Sequence, residues 1–230
     1  MYNFSGQYEK ALNLIECKTF HPWEGGEGQV LQQFSRACIA LGEVAFNQKK
    51  LDQAHKYFDK AANPPDNLGE KYHPLQSKAN IYYWRGKALK ALEKIEDANK
   101  LFMSCADESS DFVDMAVSSY SEMSYYSALA LNELSRVDEA NGIFEDMKTF
   151  GKRKLNEEVR IDYFATSLPL LLVFEEDLEK RNEWESKYII ALSEIGLGNV
   201  PEARALLKSV LTLNVMHYGA KSLLTKIKAI

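Results

Sequence analysis

Cysteine is scarce in this chain. Its three thiols, Cys17, Cys38 and Cys105, stand at long, uneven spacings. That excludes a disulfide framework and favours a reducing, cytoplasmic setting. Apolar runs are short: the longest, Leu168 to Phe174, contains Pro169 and is followed by Glu175-Glu176-Asp177. A membrane span needs about 20 consecutive apolar residues, so no membrane partner is expected. Charge of one sign never accumulates in a long block, and the net charge is −5. That argues against nucleic acid, whose binders carry a basic stripe. Histidine is sparse and scattered, at His21, His55, His73 and His217. Neither a His-Glu-x-x-His nor a Cys-x-x-Cys spacing occurs, so no metal and no cofactor is expected. Gly196-Leu197-Gly198 follows a helical pattern rather than a strand and reads as a turn, not a dinucleotide fingerprint. Met1 is followed by no signal-type apolar run.

What the chain does have is one short phrase, five times over. A β-branched, aromatic or leucine residue is followed by Ala three positions on, then by a large apolar residue four beyond that. The copies are Tyr8-Ala11-Ile15, Leu51-Ala54-Phe58, Ile95-Ala98-Phe102, Val137-Ala140-Phe144 and Val200-Ala203-Leu207. A period of tens of residues marks a solenoid, whose units stack because none can bury its apolar face alone. The expected fold is all-α: a right-handed superhelix of stacked helical hairpins, with about twelve helices. Solenoids present extended surfaces, so the class of function expected is binding or scaffolding.

The second copy shows the physics. Leu41, Gly42 and Ala45 mark one face of a first helix, helix A, and Lys49-Lys50 makes a turn. Leu51, Ala54, Phe58 and Ala61 then mark one face of a second, helix B, at i, i+3, i+7 and i+10. Gly42 and Ala54 remove bulk where the helices cross, and Phe58 fills the space beyond.

This arrangement resembles the tetratricopeptide repeat. The resemblance rests on Leu41-Gly42, Ala54, Phe58 and Ala61, on Gly86, Leu89, Ala98 and Phe102, on Ala128, Leu131, Ala140 and Phe144, and on Ala191, Gly198, Ala203 and Leu207. The chain departs from the family where an early Trp of helix A is replaced by Cys38, Tyr82, Ser124 and Lys187. The proline that usually closes a repeat is missing, and the spacing exceeds the usual one. The expected organisation is one domain over 1–230. It has a partial first repeat at 1–19, repeats at 28–62, 73–107, 110–149 and 183–212, and a capping helix at 216–230. Residues 155–182 are expected as an irregular hairpin, with Asn156 as N-cap, Glu157 and Glu158 in the first turn, and Pro169 as a break. Most of the first helix A has no residues to form it, so the chain is expected to be a fragment of a longer polypeptide.

Two segments resemble something narrower: Thr19 to Val30 and Arg160 to Asn182. They look like the C-terminal repeat region of large bacterial proteins whose β-rich N-terminal domain, of uncharacterised function, is associated with carbohydrate. The stretch His21-Pro22-Trp23-Glu24-Gly25-Gly26-Glu27-Gly28 lies in the first of them. It reads in two ways. Trp23 is a sugar-stacking platform beside Glu24 and Glu27 as an acid–base pair; or the loop joins two helices, with Trp23 packed and Glu27 near a helix N-terminus. No catalytic residue and no hydrolase activity is expected.

In tetratricopeptide repeats, positions two, five, nine and twelve of helix A line a concave groove. The resemblance carries those positions to Arg36, Ile39, Glu43 and Phe46, then Asn80, Tyr83, Lys87 and Lys90. The remaining sets are Glu122, Tyr125, Leu129 and Asn132, then Glu185, Tyr188, Leu192 and Ile195. Tyr83, Tyr125 and Tyr188 share one position, and tyrosine suits interfaces by joining large area to a polar tip. The alternative is that these rings only pack against the adjacent helix. The Lys/Asn pair with which chaperone-binding repeats clamp a C-terminal carboxylate is absent. Three functions follow: a non-catalytic module binding a protein segment or a domain of its own polypeptide; an accessory helical domain of a carbohydrate-related bacterial protein; or a self-association module.

Overall fold

The computed structural model describes residues 1–22, 26–108, 111–113, 116–159 and 177–227. Among them are ten α-helices: α1 Tyr8–Glu16, α2 Gln29–Asn47, α3 Leu51–Ala62, α4 Ala79–Ala91, α5 Ile95–Ala106, α6 Glu122–Glu133, α7 Val137–Asn156, α8 Leu178–Gly196, α9 Val200–Leu213 and α10 Tyr218–Lys226. A 3-10 turn covers Asp66–Leu68, and Asp111–Val113 pairs with Ala116–Ser118 in a short antiparallel ribbon. The chain is therefore helical in class, with ten helices described where about twelve were expected. Much of the expected irregular hairpin, residues 160–176, lies outside the described residues.

The chain divides into two compact units, Met1–Glu108 and Ser109–Ile230. In the first, each helix from α1 to α5 packs on the next, and α2 also touches α4. In the second, each helix from α6 to α10 packs on the next, and α6 also touches α8.

Every copy of the repeated phrase opens a helix: Tyr8, Leu51, Ile95, Val137 and Val200 are the first residues of α1, α3, α5, α7 and α9. The five alanines and the five large apolar residues that follow them are all buried, with Phe58, Phe102, Phe144 and Leu207 at 0% exposure. The opposite partners are small. Gly42 and Gly86 lie on α2 and α4, and a Cβ built on either would fall 2.3 and 2.6 Å from the rings of Phe58 and Phe102. Ala128 and Ala191 hold the corresponding places on α6 and α8 and are fully buried. On α7, Phe144 instead lies over Gly196 of α8, 2.4 Å from where a Cβ would stand.

The turn before each phrase is the same object five times. Two residues ahead of the helix the backbone is left-handed, at Gly6, Lys49, Glu93, Ser135 and Gly198, with φ of 77, 61, 63, 63 and 83°. That residue's N–H donates to the carbonyl three positions back, at 3.0–3.1 Å. The next N–H reaches five back: Gln7 to Tyr2, Lys50 to Ala45, Lys94 to Leu89 and Arg136 to Leu131, each at 2.9 Å, and Asn199 to Glu194 at 2.7 Å. These bonds occupy carbonyls that a helix end would otherwise leave unpaired.

Two details differ from the sequence reading, and a third lies outside it. Asn156 ends α7 rather than capping a new helix. Nothing between Val137 and Asn156 breaks the helix, and Arg153 and Lys154 in its last turn suit the negative end of the helix dipole. His73 lies in a loop, its Nδ1 accepting from Leu75 N at 3.2 Å, and α4 starts later, at Ala79. Residues 63–78 form an ordered strap. Within it Leu68 is fully buried, and Asn67 Nδ2 donates to the carbonyls of Ile15 and Lys18 at 2.9 and 2.6 Å, tying down the end of α1.

Candidate functional site

On the first unit the expected groove residues lie on α2 and α4, which touch. Arg36, Ile39, Glu43 and Phe46 on α2, and Asn80, Tyr83 and Lys87 on α4, are all half-buried, while Lys90 is exposed. Tyr83 is the centre of this stripe. Its ring lies 5.5 Å from Trp84, edge-on, and 6.2 Å from Phe102. Trp84 in turn stacks on Phe58 at 5.5 Å and meets Phe46 at 6.3 Å. The half-exposed aromatic surface is thus continuous with the buried seam, and its rings are held by packing rather than by loops. Asn80 Oδ1 accepts from Ile81 N at 2.8 Å, beside the start of α4. Arg85 donates to Asp59 at 2.8 Å across the α3–α4 contact. Arg36, Glu43, Tyr83, Lys87 and Lys90 each have further contacts within the protein.

On the second unit the same positions behave differently. Tyr125 on α6 is buried, 5.9 Å from Phe144 and 5.6 Å from Tyr126. Burial, with Glu122 nearby, pushes its phenol up to about 12. Tyr188 on α8 is only 5% exposed. Its ring lies 4.3 Å from His217, and its hydroxyl sits against Gly219, where a Cβ would come within 2.1 Å. The accessibility expected of these two rings is therefore not found: both are core side chains. Helical spacing placed them on one face but carried no sign that α10 covers that face at α8. Glu185 is tied to Arg181 at 2.8 Å, Leu192 is buried and Asn132 is exposed.

The stretch around Trp23 resolves in part. Trp23 and Glu24 lie outside the described residues, and His21 and Glu27 are exposed. The start of α2 is served by a carboxylate from the strap instead of Glu27. Glu70 accepts from Gly28 N at 2.7 Å and from Leu31 N at 2.9 Å, one oxygen to each. Only a fold that brings residue 70 back over residue 28 reveals this, and no local motif announces it.

Among the described ionisable groups, Cys38, Cys105 and Glu194 are buried. Burial pushes the Cys38 thiol up to about 12 and raises that of Cys105 further. Glu194 on α8 is 4% exposed. Burial opposes its ionisation, but hydrogen bonds from Lys148 and Asn199, with the charges of Lys148 and Lys152, outweigh that and hold its carboxyl below the usual range. Among the described residues no three of His, Cys, Asp and Glu stand together as a metal ion would require. No described helix is long and apolar enough to cross a membrane. No protein-family model matches the chain, and no solved structure matches it.

Proposed function

We propose that this chain is a non-catalytic interaction module of the tetratricopeptide type. Its α2–α4 face, centred on Tyr83, takes a segment of a protein partner or of a neighbouring domain of the same polypeptide. The observation that carries the reading is the state of Tyr83: half-buried, fixed by Trp84 and Phe102, and in one stripe with Lys87 and Lys90 on a helix that lies beside α2. A ring so fixed loses little entropy on binding, and interface energy concentrates in such anchors. The four like turns that join α2 to α3, α4 to α5, α6 to α7 and α8 to α9 support the stacked-hairpin part of the proposal. Within it the hairpins continue as a right-handed superhelix of about twelve helices. The free thiols Cys17, Cys38 and Cys105 suit a reducing, cytoplasmic setting.

The test compares partner capture by the wild-type chain with capture by Tyr83→Ala and Lys87→Glu, each first checked for an unchanged far-ultraviolet circular dichroism spectrum. A truncated anchor costs about 2 kcal/mol, near a thirtyfold loss of affinity. Capture undiminished in both variants would remove the α2–α4 face from the proposal.

A further inference from the structure

Helix α1 is fastened by residues far from its own sequence. It has nine residues, its N-cap Gln7 makes no side-chain capping bond, and no basic residue stands in its last turn. A helix of that length is marginal alone, so its stability comes from what it packs on. Those supports are α2 and the 3-10 turn of the strap. Ala11, Leu12 and Ile15 share one buried cluster with Phe34 and Cys38 of α2 and with Leu68 of the strap. Between α1 and α2 the chain runs through residues 17–28.

Four successive residues of the strap hold this region together. Asn67 Nδ2 donates to the carbonyls of Ile15 and Lys18 at 2.9 and 2.6 Å, where the end of a helix leaves carbonyls unpaired. Asn67 O accepts from Phe20 N at 2.8 Å. Leu68 fills the cluster and is fully buried. Gly69 has a left-handed φ of 71°, and a Cβ there would fall 2.6 Å from Phe20 O. Glu70 receives Gly28 N and Leu31 N at the start of α2. Residues 67–70 thus grip the end of α1, the segment after it and the start of α2 at once. Glu16 also pairs with Lys60 of α3, a partly exposed ion pair of small worth. Cys38 marks what is covered: it is 0% exposed, and it lies close to the charges of Lys60 and Glu16 and to Tyr72 of the strap.

We infer that α1 is a flap that opens without the rest of its unit, and that residues 67–70 are the clasp that holds it shut. Opening lifts Ala11, Leu12 and Ile15 from the face of α2 that carries Phe34, and Cys38 passes from covered to accessible. The device is a local unfolding step: a short element, held at its end by a few hydrogen bonds, opens at lower cost than the helices it leaves behind. It stands on the packing of α1, α2 and the strap and does not require the proposed binding role of Tyr83.

Hydrogen exchange and thiol labelling of the whole chain, with the exposed Cys17 replaced by Ser, test this. The amides of 8–16 should be roughly tenfold or more less protected than those of α3 and α4. Cys38 should label at the rate those openings allow. Asn67→Ala should speed both about tenfold, the size of one or two lost hydrogen bonds, and leave buried Cys105 on α5 unchanged. Asn67→Asp keeps the shape of the side chain and loses the donor, so it should act in the same direction. Protection of 8–16 equal to that of α3 and α4 overturns the flap, because α1 would then open only with its unit; this comparison needs neither variant to fold. No change at 8–16 in the Asn67 variants, or equal speeding of Cys38 and Cys105, overturns the clasp.

Discussion

Replacing Phe58 by Ala deletes a ring that is 0% exposed and stacked at 5.5 Å on Trp84, with Gly42 beneath it. Removing a buried Phe costs about 3–5 kcal/mol, from lost transfer energy and from the cavity left behind. For a chain of this size that lowers Tm by roughly 2–4 °C per kcal/mol. The informative partner is Gly42→Ala. Alone, it gains about 1 kcal/mol of helix propensity. It also drives a Cβ to within 2.3–2.8 Å of three ring carbons of Phe58. Overpacking a seam of this kind costs about 1–3 kcal/mol, so the single variant should lose stability. In the Phe58→Ala background the ring is gone, the propensity gain remains, and the added methyl occupies part of the cavity. There Gly42→Ala should raise stability by about 1 kcal/mol. A four-way cycle of urea denaturation followed by circular dichroism at 222 nm measures both steps. Equal effects of Gly42→Ala in the two backgrounds would mean that Gly42 and Phe58 do not touch, and the crossing of α2 and α3 would have to be redrawn.

Phe102→Ala should likewise cost about 3–5 kcal/mol by thermal melting, since Phe102 is 0% exposed over Gly86; an unchanged melt would place the α4–α5 register in error. Glu194 has a folded pKa below its unfolded value, so its contribution is complete at neutral pH and is lost as pH falls through the folded value. Glu194→Gln should therefore cost about 1–3 kcal/mol at pH 7, with the gap to wild type closing towards pH 3 in parallel urea titrations. A gap of constant size would show that the Lys148 contact contributes nothing through charge.

The helices were legible where packing repeats. Ala54, Phe58 and Ala61 announce a buried face because 3.6-residue periodicity and small-to-large alternation are local properties of the chain. The buried faces of α3, α5, α7 and α9 follow from them. What could not be read was whatever depends on distant segments meeting. Glu70 reaches the start of α2 from 42 residues away, and Asn67 reaches the end of α1 from about 50. Neither belongs to a period. The same limit applies to the candidate surface. Tyr83, Tyr125 and Tyr188 share a repeat position, yet only Tyr83 keeps an accessible ring. Phe144 and α10 decide the fate of the other two, and the sequence around Tyr125 or Tyr188 does not mention them.

The turns that share this closure, four of them between paired helices and one ahead of α1, have a consequence for how such a chain can be rebuilt. Their closure is carried by main-chain bonds, and the left-handed residue is Gly, Lys, Glu or Ser with little change in φ. The three that bear side chains, Lys49, Glu93 and Ser135, are exposed. Each joint is thus a standard fitting whose geometry does not depend on the letters at its surface. Lys49, Glu93 and Ser135 become interchangeable attachment points for a dye, a crosslinker or an inserted peptide. A whole hairpin can be exchanged for another at matched joints, with the apolar faces on either side of the cut left to decide whether the exchange folds.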